Sequence, residues 1–457
     1  MRIVVCIRQG LDGEISPFDA CAYEVALRQK DAEVILLSMG PSSVKDFLLK
    51  FTRLGAKRAV LLNDNAFAGA DTIATAYTLA KAIDKLKPDL VFCGRQTLVG
   101  DTGQVGPMLA QYCGFDLITN AMGFDFSDTK VSCTTRDEGV CTCSLPAVIT
   151  FERICNLRLP SLRSKVGECD VFSAADIDTD NERCGLSGSP TRVIKTFENR
   201  SGFRKCKFVS MGELSEIIKE KRNQFREDVS TTLSNGEKLA SVLAVGEETL
   251  GFAKTVCDNP ETISLGDADD MLRVIETKKP DAVIWPSSSK GKRIAALVSA
   301  KLGLGLCADC TRLEARDNRL IMYRPALSGS ILAEIHSLTT PAMATVRTET
   351  SGNSDVIVAA GYGVKDKVDK VIKFAESIGA ELATTRKMVD NGVLPYDQQI
   401  GLTGKTKSPP VYIAIGVSGA VHHIVGMERS GTVIAINPDR NAPIFDYADY
   451  GVLEEFD

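Results

Sequence analysis

Two histidines stand side by side, His422 and His423, in a chain that holds only 3. They follow the apolar run VYIAIG (411–416) and a Ser418-Gly419-Ala420 turn. An imidazole near a helix start can donate a hydrogen bond to a ligand that gains negative charge. Residues 420–426, read as a helix, place Val421, Ile424 and Val425 on one buried face. Neighbouring helical residues diverge by about 100°, so His422 flanks that face and His423 points nearly opposite. On this reading neither is a core histidine, and two exposed surface histidines are the plainer alternative. Upstream, QQIGLTGKT (398–406) invites comparison with a P-loop, but Gln399 stands where that motif needs its first glycine. The P-loop is rejected, although Gly401, Thr403 and Gly404 can still offer backbone N–H groups to a phosphate. A third candidate gathers Gly94, Gly100, Asp101, Thr102, Gly103 and Gln104. Its glycines admit close backbone approach and its polar side chains suit a ribose or phosphate, with an ordinary solvated loop as the alternative. Cys307-Ala-Asp-Cys310 lacks a second pair at zinc spacing, and Cys133, Cys141 and Cys143 are irregular, so no metal or cluster site is expected.

These residues need strands to hold them. KPDLVFCG opens at 87 and KPDAVIWP at 279, and each leads through a polar loop into an amphipathic helix, a glycine turn and another strand. The first helix carries Val105, Met108, Leu109 and Tyr112 on one face; the second carries Ile294, Leu297, Val298 and Leu302. LPAVITF (145–151) is echoed by TPAMATV (340–346), which completes a tandem repeat of two α/β domains. Ligands in open α/β sheets bind beyond the carboxyl ends of the strands. There the first copy has its glycine-rich loop, whereas the second has Ser287-Ser288-Ser289-Lys290-Gly291-Lys292-Arg293. The first copy therefore reads as the nucleotide site and the second as scaffold. FAGADTIATAYTLAKAI (67–83) reads as a helix capped by Asp71 or Thr72.

Residues 353–457 alternate strands and helices, which implies a third, parallel sheet. Its strands end in Gly361-Tyr362-Gly363, Thr384-Thr385-Arg386, Gly416-Val417-Ser418-Gly419 and Ile436-Asn437, and a parallel sheet brings these ends to one edge. The expected fold class is α/β: tandem open parallel-sheet nucleotide-binding-like domains plus a C-terminal doubly wound domain. The expected boundaries are 1–211 with a C-terminal arm, a linker at 212–239 read as an exposed helix and loop, 240–350, and 353–457.

A net charge of −5 argues against a broad nucleic-acid surface. No run approaches the roughly 18 apolar residues of a membrane span. MRIVVCIRQG is too short in its apolar core for a signal peptide, and 14 cysteines without one suggest free thiols in the cytoplasm.

VYIAIGVSGAVHHIVGMERSGTVIAINPDRNAPIFDYADYG closely resembles the signature of the large (alpha) subunit of electron-transfer flavoproteins. The likeness extends through TTRKMVDNGVLPYDQQIGLTGK and CADCTRLE. The N-terminal half resembles the small (beta) subunit through VLLNDNAFAGADTIATAYTLA, GDTGQVGP and FSAADIDTDNERCGLSGSPT. The chain thus resembles a fusion of the two subunits, trimmed near Gly10–Ser16 and around 225–260.

The resemblance implies FAD held by the C-terminal domain. It places Arg386 against the isoalloxazine and His423 at its pyrimidine edge, with His422 where Gln is usual. Thr385, Gln399, Gly401, Leu402, Thr403, Gly404, Ser418, Gly419, Ala420, Asn437 and Asp439 complete the implied FAD contacts, and Tyr362 replaces a family arginine. A fixed guanidinium and an imidazole would stabilise the negative charge of reduced flavin and raise its potential. A second nucleotide, AMP or a second FAD, is implied at Cys6, Met39, Asp71, Thr72, Gly94, Gln96, Gly100, Asp101, Thr102, Gly103, Gln104 and Val105.

The implied function is electron carriage between a flavoprotein dehydrogenase of the acyl-CoA dehydrogenase type and downstream acceptors, with a ferredoxin or quinone oxidoreductase as further partners. Leu162, in RLPSLRSK (158–165), is the implied docking anchor, and RTETSGNS (347–354) the implied joint on which the C-terminal domain swings. Two alternatives stand beside this. One is an NADH-oxidising, electron-bifurcating flavoenzyme with two FADs, which AFAGADT and GDTGQVGP resemble more closely and which would bind NAD. The other is a nucleotide-binding regulatory protein without redox activity.

Overall fold

The computed structural model describes residues 1–457 except 11–12, 98–99, 128–129, 199–201, 223–235, 327–330, 349–353 and 402–403. The chain divides into two compact units. The first comprises 1–196, 234–327 and 333–346, and the second 197–233, 328–332 and 347–457. Among the described residues no helix is long and apolar enough to cross a membrane.

The first unit holds the repeat. In its first sheet the parallel strands run in the order Glu168–Phe172, Arg58–Leu62, Glu33–Met39, Arg2–Cys6, Leu90–Gly94, Ala147–Phe151, Asp116–Ala121, and the antiparallel strands Asp125–Ser127, Lys130–Thr135 and Gly139–Ser144 extend that end. The second sheet runs Glu261–Ile263, Val242–Val245, Ala282–Pro286, Ala342–Val346, Leu306–Cys310. Strand for strand, this repeats the middle of the first sheet. The match extends to backbone detail. Cis peptides precede Pro146 and Pro341, at the two echoed segments. Asn120 and Asp309 both turn to positive φ, 57° and 55°, where the ladder shifts register. Each gives its N–H to a threonine on the neighbouring strand, Thr150 at 3.0 Å and Thr345 at 2.9 Å. The register shift takes that N–H out of the ladder, and the hydroxyl satisfies it inside the core.

The helices differ where the sequences differ. In the second copy Ser288 accepts from the Gly291 N–H at 3.1 Å, and helix Ser289–Leu302 starts there. In the first copy helix Val105–Cys113 starts late, and residues 95–97 and 100–104 lie outside any helix or strand. Both helices end on a left-handed glycine, Gly114 at φ 66° and Gly303 at φ 68°, which only glycine adopts at little cost. Their apolar faces meet: Met108 shares a core with Ala295, Val298 and the buried Trp285.

The second unit is a parallel sheet in the order Lys207–Phe208, Tyr450–Val452, Thr432–Ile436, Val411–Ile415, Val356–Ala360, Glu381–Thr384. Counted from Val356–Ala360, its own strands run 2-1-3-4-5, a doubly wound order that reverses between the first and third strands. Period-two alternation buries two faces. Val356, Val358, Val411 and Ile413 pack under helix Val368–Ser377 with Val371 and Ala375. Ile357, Ala359, Tyr412 and Ala414 pack under Ile424, Ile444 and Phe445. Helix Leu214–Lys221, expected as exposed, buries Leu214 and Ile218 in the first of these cores. An amphipathic helix with only three large apolar positions looks solvated until the sheet that receives it is known.

Arg204 fastens this stretch. Its guanidinium donates to the carbonyls of Gly431 at 2.9 Å, Glu428 at 3.1 Å and Ser430 at 2.5 Å, and pairs with Asp449. Its side chain is almost wholly buried. Arg204→Ala would leave three carbonyls without their donor, while Asp449, 36% exposed, keeps the Val433 N–H at 2.8 Å; a buried acceptor left unsatisfied costs about 1–3 kcal/mol. We expect calorimetry to show the second unit losing stability of that order while the first unit's transition stays in place.

Candidate functional site

At the carboxyl edge of the second unit, the strand order reverses between Val356–Ala360 and Val411–Ile415. Gly361 follows the first strand and Gly416 the second, and a Cβ on Gly361 would lie 2.2 Å from the Gly416 oxygen. Only glycine permits this approach. Gly363 donates its N–H to the same oxygen at 3.0 Å. Tyr362 carries Lys387 over its ring at 4.0 Å and Lys365 at 5.0 Å, so two cations lie beside this turn.

Thr385 takes the N-cap position of the short helix Arg386–Asp390. The Thr385 Oγ1 is buried without a hydrogen-bond partner, as is Gln398 Oε1. Arg386 lies 3.6 Å from Asp390 and is mostly covered. Gln399 is buried, and its stretch bridges the edge strand: the Ile400 N–H donates to Thr384 at 2.9 Å. The Gly401 N–H donates to Lys405 at 3.1 Å and that of Gly404 to Gly401 at 3.0 Å. Leu402 and Thr403 lie outside the described residues.

The turn at Ser418–Ala420 is fixed from the other side. The Ile444 N–H donates to the Ser418 carbonyl at 3.2 Å, and a Cβ on Gly419, at φ 91°, would sit 2.1 Å from the Ile444 nitrogen. Asn437 donates to the Val417 carbonyl at 3.0 Å and accepts from the Asp439 N–H at 2.9 Å.

The His pair departs from the helical-wheel reading. The helix is a single turn, Val421–Ile424, and it is His423 that is buried, at 5% exposure. Its Nδ1 lies 3.1 Å from the Ile400 carbonyl and its Nε2 2.9 Å from the Tyr412 hydroxyl. A carbonyl only accepts, so Nδ1 carries the proton and Nε2 accepts from Tyr412. His423 is therefore a core histidine with both nitrogens engaged by the protein. The one-turn helix buries His423 and Ile424 and leaves Val421 and His422 partly exposed, because the Gln399–Gly401 stretch covers the side on which His423 lies. His422 is only partly covered; burial and then the nearby Arg386 charge lower its pKa. Tyr412 went unnoticed in the sequence, although it is the only polar side chain in VYIAI.

At the edge of the first unit, parallel pairing brings the strand ends Cys6, Met39 and Gly94 to one side. Gln96 Nε2 bonds Asp101, and the Asp101 N–H donates to the Thr97 carbonyl at 2.8 Å. Gly100 donates to Thr97 Oγ1 at 3.2 Å, and Gly103 takes φ 64°. Thr72 Oγ1 bonds Gln104 Oε1 at 3.0 Å, while the buried Gln104 Nε2 has no partner. Thr102 is half-buried, and Val105 begins the helix.

Two candidates have protein duties. Asp71 caps its helix through Ile73 and Ala74 and holds the Thr191 N–H and hydroxyl at 3.0 and 2.7 Å, so both oxygens are committed. Gly94 is glycine because the Asp19 carboxylate lies where its Cβ would be, at 2.3 Å. Asp19, unseen in the sequence, is buried and accepts from the Arg8 N–H at 3.0 Å; burial raises it to about 7 against those hydrogen bonds.

The two copies also buttress each other. Arg324, from the second, donates to the Asp101 carbonyl at 3.3 Å. Arg136, from the first, reaches Ser289 at 2.9 Å, and Arg293 pairs with Glu138 at 2.5 Å. The second copy's helix start is thus met by protein side chains. On the surface, Leu159 and Leu162 are 89% and 101% exposed. Among the described residues no cluster of metal-ligating side chains is found.

A strand-order reversal with close-approach glycines and the buried Thr385 and Gln398 oxygens beside it is the edge at which doubly wound sheets bind nucleotides. Residues 3–177 and 265–360 match the electron transfer flavoprotein domain, and residues 352–428 the electron transfer flavoprotein FAD-binding domain. Protein FixA of Azorhizobium caulinodans is 37% identical over 282 residues, which are 52% of this chain and 100% of that protein. The electron transfer flavoprotein subunit beta of Clostridium acetobutylicum is 40% identical over 201 residues, 42% of this chain and 78% of that subunit. Protein FixB of Bradyrhizobium diazoefficiens is 32% identical over 232 residues, 40% of this chain and 63% of that protein. The chain belongs to the electron transfer flavoprotein family, and it joins in one polypeptide domains that resemble both subunits.

Burial lowers the His423 pKa from 6.5 to about 4 against the opposing Ile400 hydrogen bond. The folded state thus binds fewer protons than the unfolded chain between those values. The stabilisation is complete above pH 6.5 and is lost as pH falls toward about 4. We expect the stability advantage of the parent over His423→Gln to shrink by about 3 kcal/mol across that window in denaturant titrations. An advantage independent of pH would contradict the buried neutral imidazole.

Proposed function

We propose that this chain carries electrons on FAD bound at the carboxyl edge of its second unit. It would take them from a flavoprotein dehydrogenase of the acyl-CoA dehydrogenase type and pass them to downstream acceptors. The observation that carries this is the match of residues 352–428 to the FAD-binding domain, with the strand-order reversal inside the matched segment. The residues fit the cofactor. Thr385 Oγ1 and Gln398 Oε1 are buried polar atoms without a partner among the described residues, and Gly401 and Gly419 let the two turns beside them pack backbone to backbone. Gly404, Ser418, Ala420, Asn437 and Asp439 would complete the cradle. FAD supplies the electron chemistry through its isoalloxazine ring.

The chain's own work is electrostatic. Arg386 keeps its charge at every working pH and is held from behind by Asp390. It would favour negative charge accumulating in the crevice, and His422, beside it, would add a hydrogen bond. His423 would act one step back, as a positioning residue that fixes the Ile400 carbonyl and thereby the loop.

Redox titration of Arg386→Ala should give a flavin midpoint potential lower by on the order of 30–60 mV, or about 1.4–2.8 kcal/mol for a two-electron couple. An unchanged potential with full flavin content would remove Arg386 from this role. Leu162, fully exposed beside Leu159, is the proposed docking anchor for the dehydrogenase.

The buried Gln104 Nε2, without a partner among the described residues, supports a second nucleotide at the first unit's edge, and the NADH-oxidising bifurcating enzyme is the second reading. This edge would hold AMP in a simple carrier and a second FAD in the enzyme. Counting flavins per chain and adding NADH without oxygen distinguishes them. One flavin that stays oxidised indicates the carrier, and two flavins with bleaching indicate the enzyme. A protein that cannot be loaded with FAD indicates neither.

A further inference from the structure

Cys21 and Cys155 lie 134 positions apart, yet their sulfurs are 3.2 Å from each other. Cys21 sits in the middle of helix Pro17–Leu27 and is fully buried. Cys155 follows strand Ala147–Phe151 and is partly exposed. Two salt links hold the surrounding backbone: Glu24 pairs with Arg28 at 3.0 Å and with Arg158 at 2.9 Å. Arg158 also gives its own N–H to Glu24 at 3.1 Å. Both sides of the pair are therefore fixed, and one of the two sulfurs can be reached from solvent.

We propose that Cys21 and Cys155 form a redox-active dithiol that exchanges with small-molecule disulfides. The Cys155 thiolate attacks one sulfur of the disulfide, the protein–small-molecule S–S bond forms, and the other half leaves as a thiolate. The Cys21 thiolate then attacks the Cys155 sulfur, closes the Cys21–Cys155 bond and expels the second thiolate. Two protein thiols lose two electrons and two protons, and one disulfide becomes two thiols. A thiolate is the attacking species, and a resolving sulfur in contact makes the second step intramolecular.

The pair shares one proton: the hydrogen bond to Cys21, and then burial, pushes the Cys155 thiol up, so Cys155 attacks after handing its proton to Cys21. A hydrogen bond from the Cys155 thiol, backbone N–H groups of Ile154 and Cys155, and the Arg28 charge lower Cys21 to about 7 against the effect of burial. Other neighbouring pairs differ. Cys6 and Cys93 are register partners and Cys307 and Cys310 share a bulged strand, but burial and the adjacent thiol push Cys6 and Cys310 well up. Cys307 and Cys310 are both buried, which keeps a small-molecule disulfide from reaching them. The expected bond would pin the start of the segment that leads to Leu159 and Leu162 onto helix Pro17–Leu27.

The test uses the full-length, fully reduced chain, treated stepwise with oxidised glutathione, alkylated and mapped by peptide mass. The expected result is a Cys21–Cys155 linked peptide pair, short by two hydrogens, formed while Cys6, Cys93, Cys307 and Cys310 are still recovered as alkylated thiols. Cys21→Ser should leave glutathione attached to Cys155, and Cys155→Ser should abolish the link. Stable glutathione on Cys155 of the parent chain without a link would overturn the proposal. So would recovery of both cysteines as free thiols after other cysteines have oxidised. The mapping of the parent chain decides the matter even if a serine variant does not fold.

Discussion

The crevice of the second unit depends on one contact between two backbones. The Gln399–Gly401 stretch lies against the turn at 422–426, and both partners must lack side chains there. A Cβ on Gly401 would fall 2.4 Å from the His422 oxygen, and one on Gly426 would fall 2.4 Å from the Gly401 nitrogen. Gly401 also holds φ at 136°, a conformation that other residues rarely adopt. His423 locks the contact by reaching from the turn to the Ile400 carbonyl on one side and to Tyr412, on the sheet, on the other. A neutral, buried imidazole has only one arrangement that satisfies both partners, so it specifies a geometry as well as adding hydrogen bonds. Thr385 and Arg386 are placed by the same contact, because Ile400 is itself tied to the end of their strand.

The first unit answers the same topological problem twice with different chemistry. Both copies turn at a positive-φ Asn or Asp, and both satisfy that residue's N–H with a threonine hydroxyl. Yet one edge keeps a loop braced by Gln96 and Asp101, and the other starts its helix early under a serine cap. Arg136, Glu138 and Arg324 then tie the two edges together. A duplicated scaffold can thus vary its two edges independently, since the sheet is held by strand register and apolar faces, which the edge loops leave untouched.

What could be read from the residues follows the range of the forces involved. The tandem repeat was legible because Lys-Pro-Asp openings, strand alternation and helix periodicity are local patterns. The candidate crevice was legible because parallel strands must end on one edge. Burial created from outside an element was not. Asp19 reads as one more polar position on an amphipathic helix until Gly94 arrives against it. Arg204 is one of many basic residues until three carbonyls from the turn at 428–431 converge on it. His423 was misplaced because the wheel assumed two turns of helix and a solvent face, whereas the helix has one turn and the Gln399–Gly401 stretch covers it.

The most direct measurement of the central claim is amide hydrogen exchange with and without FAD. The account predicts new protection concentrated at the amides of Gly361, Thr385–Arg386, Gln399–Gly401 and Ser418–His423, four segments remote in sequence that respond together. Protection confined to the 94–105 loop, with those four segments exchanging as before, would contradict it.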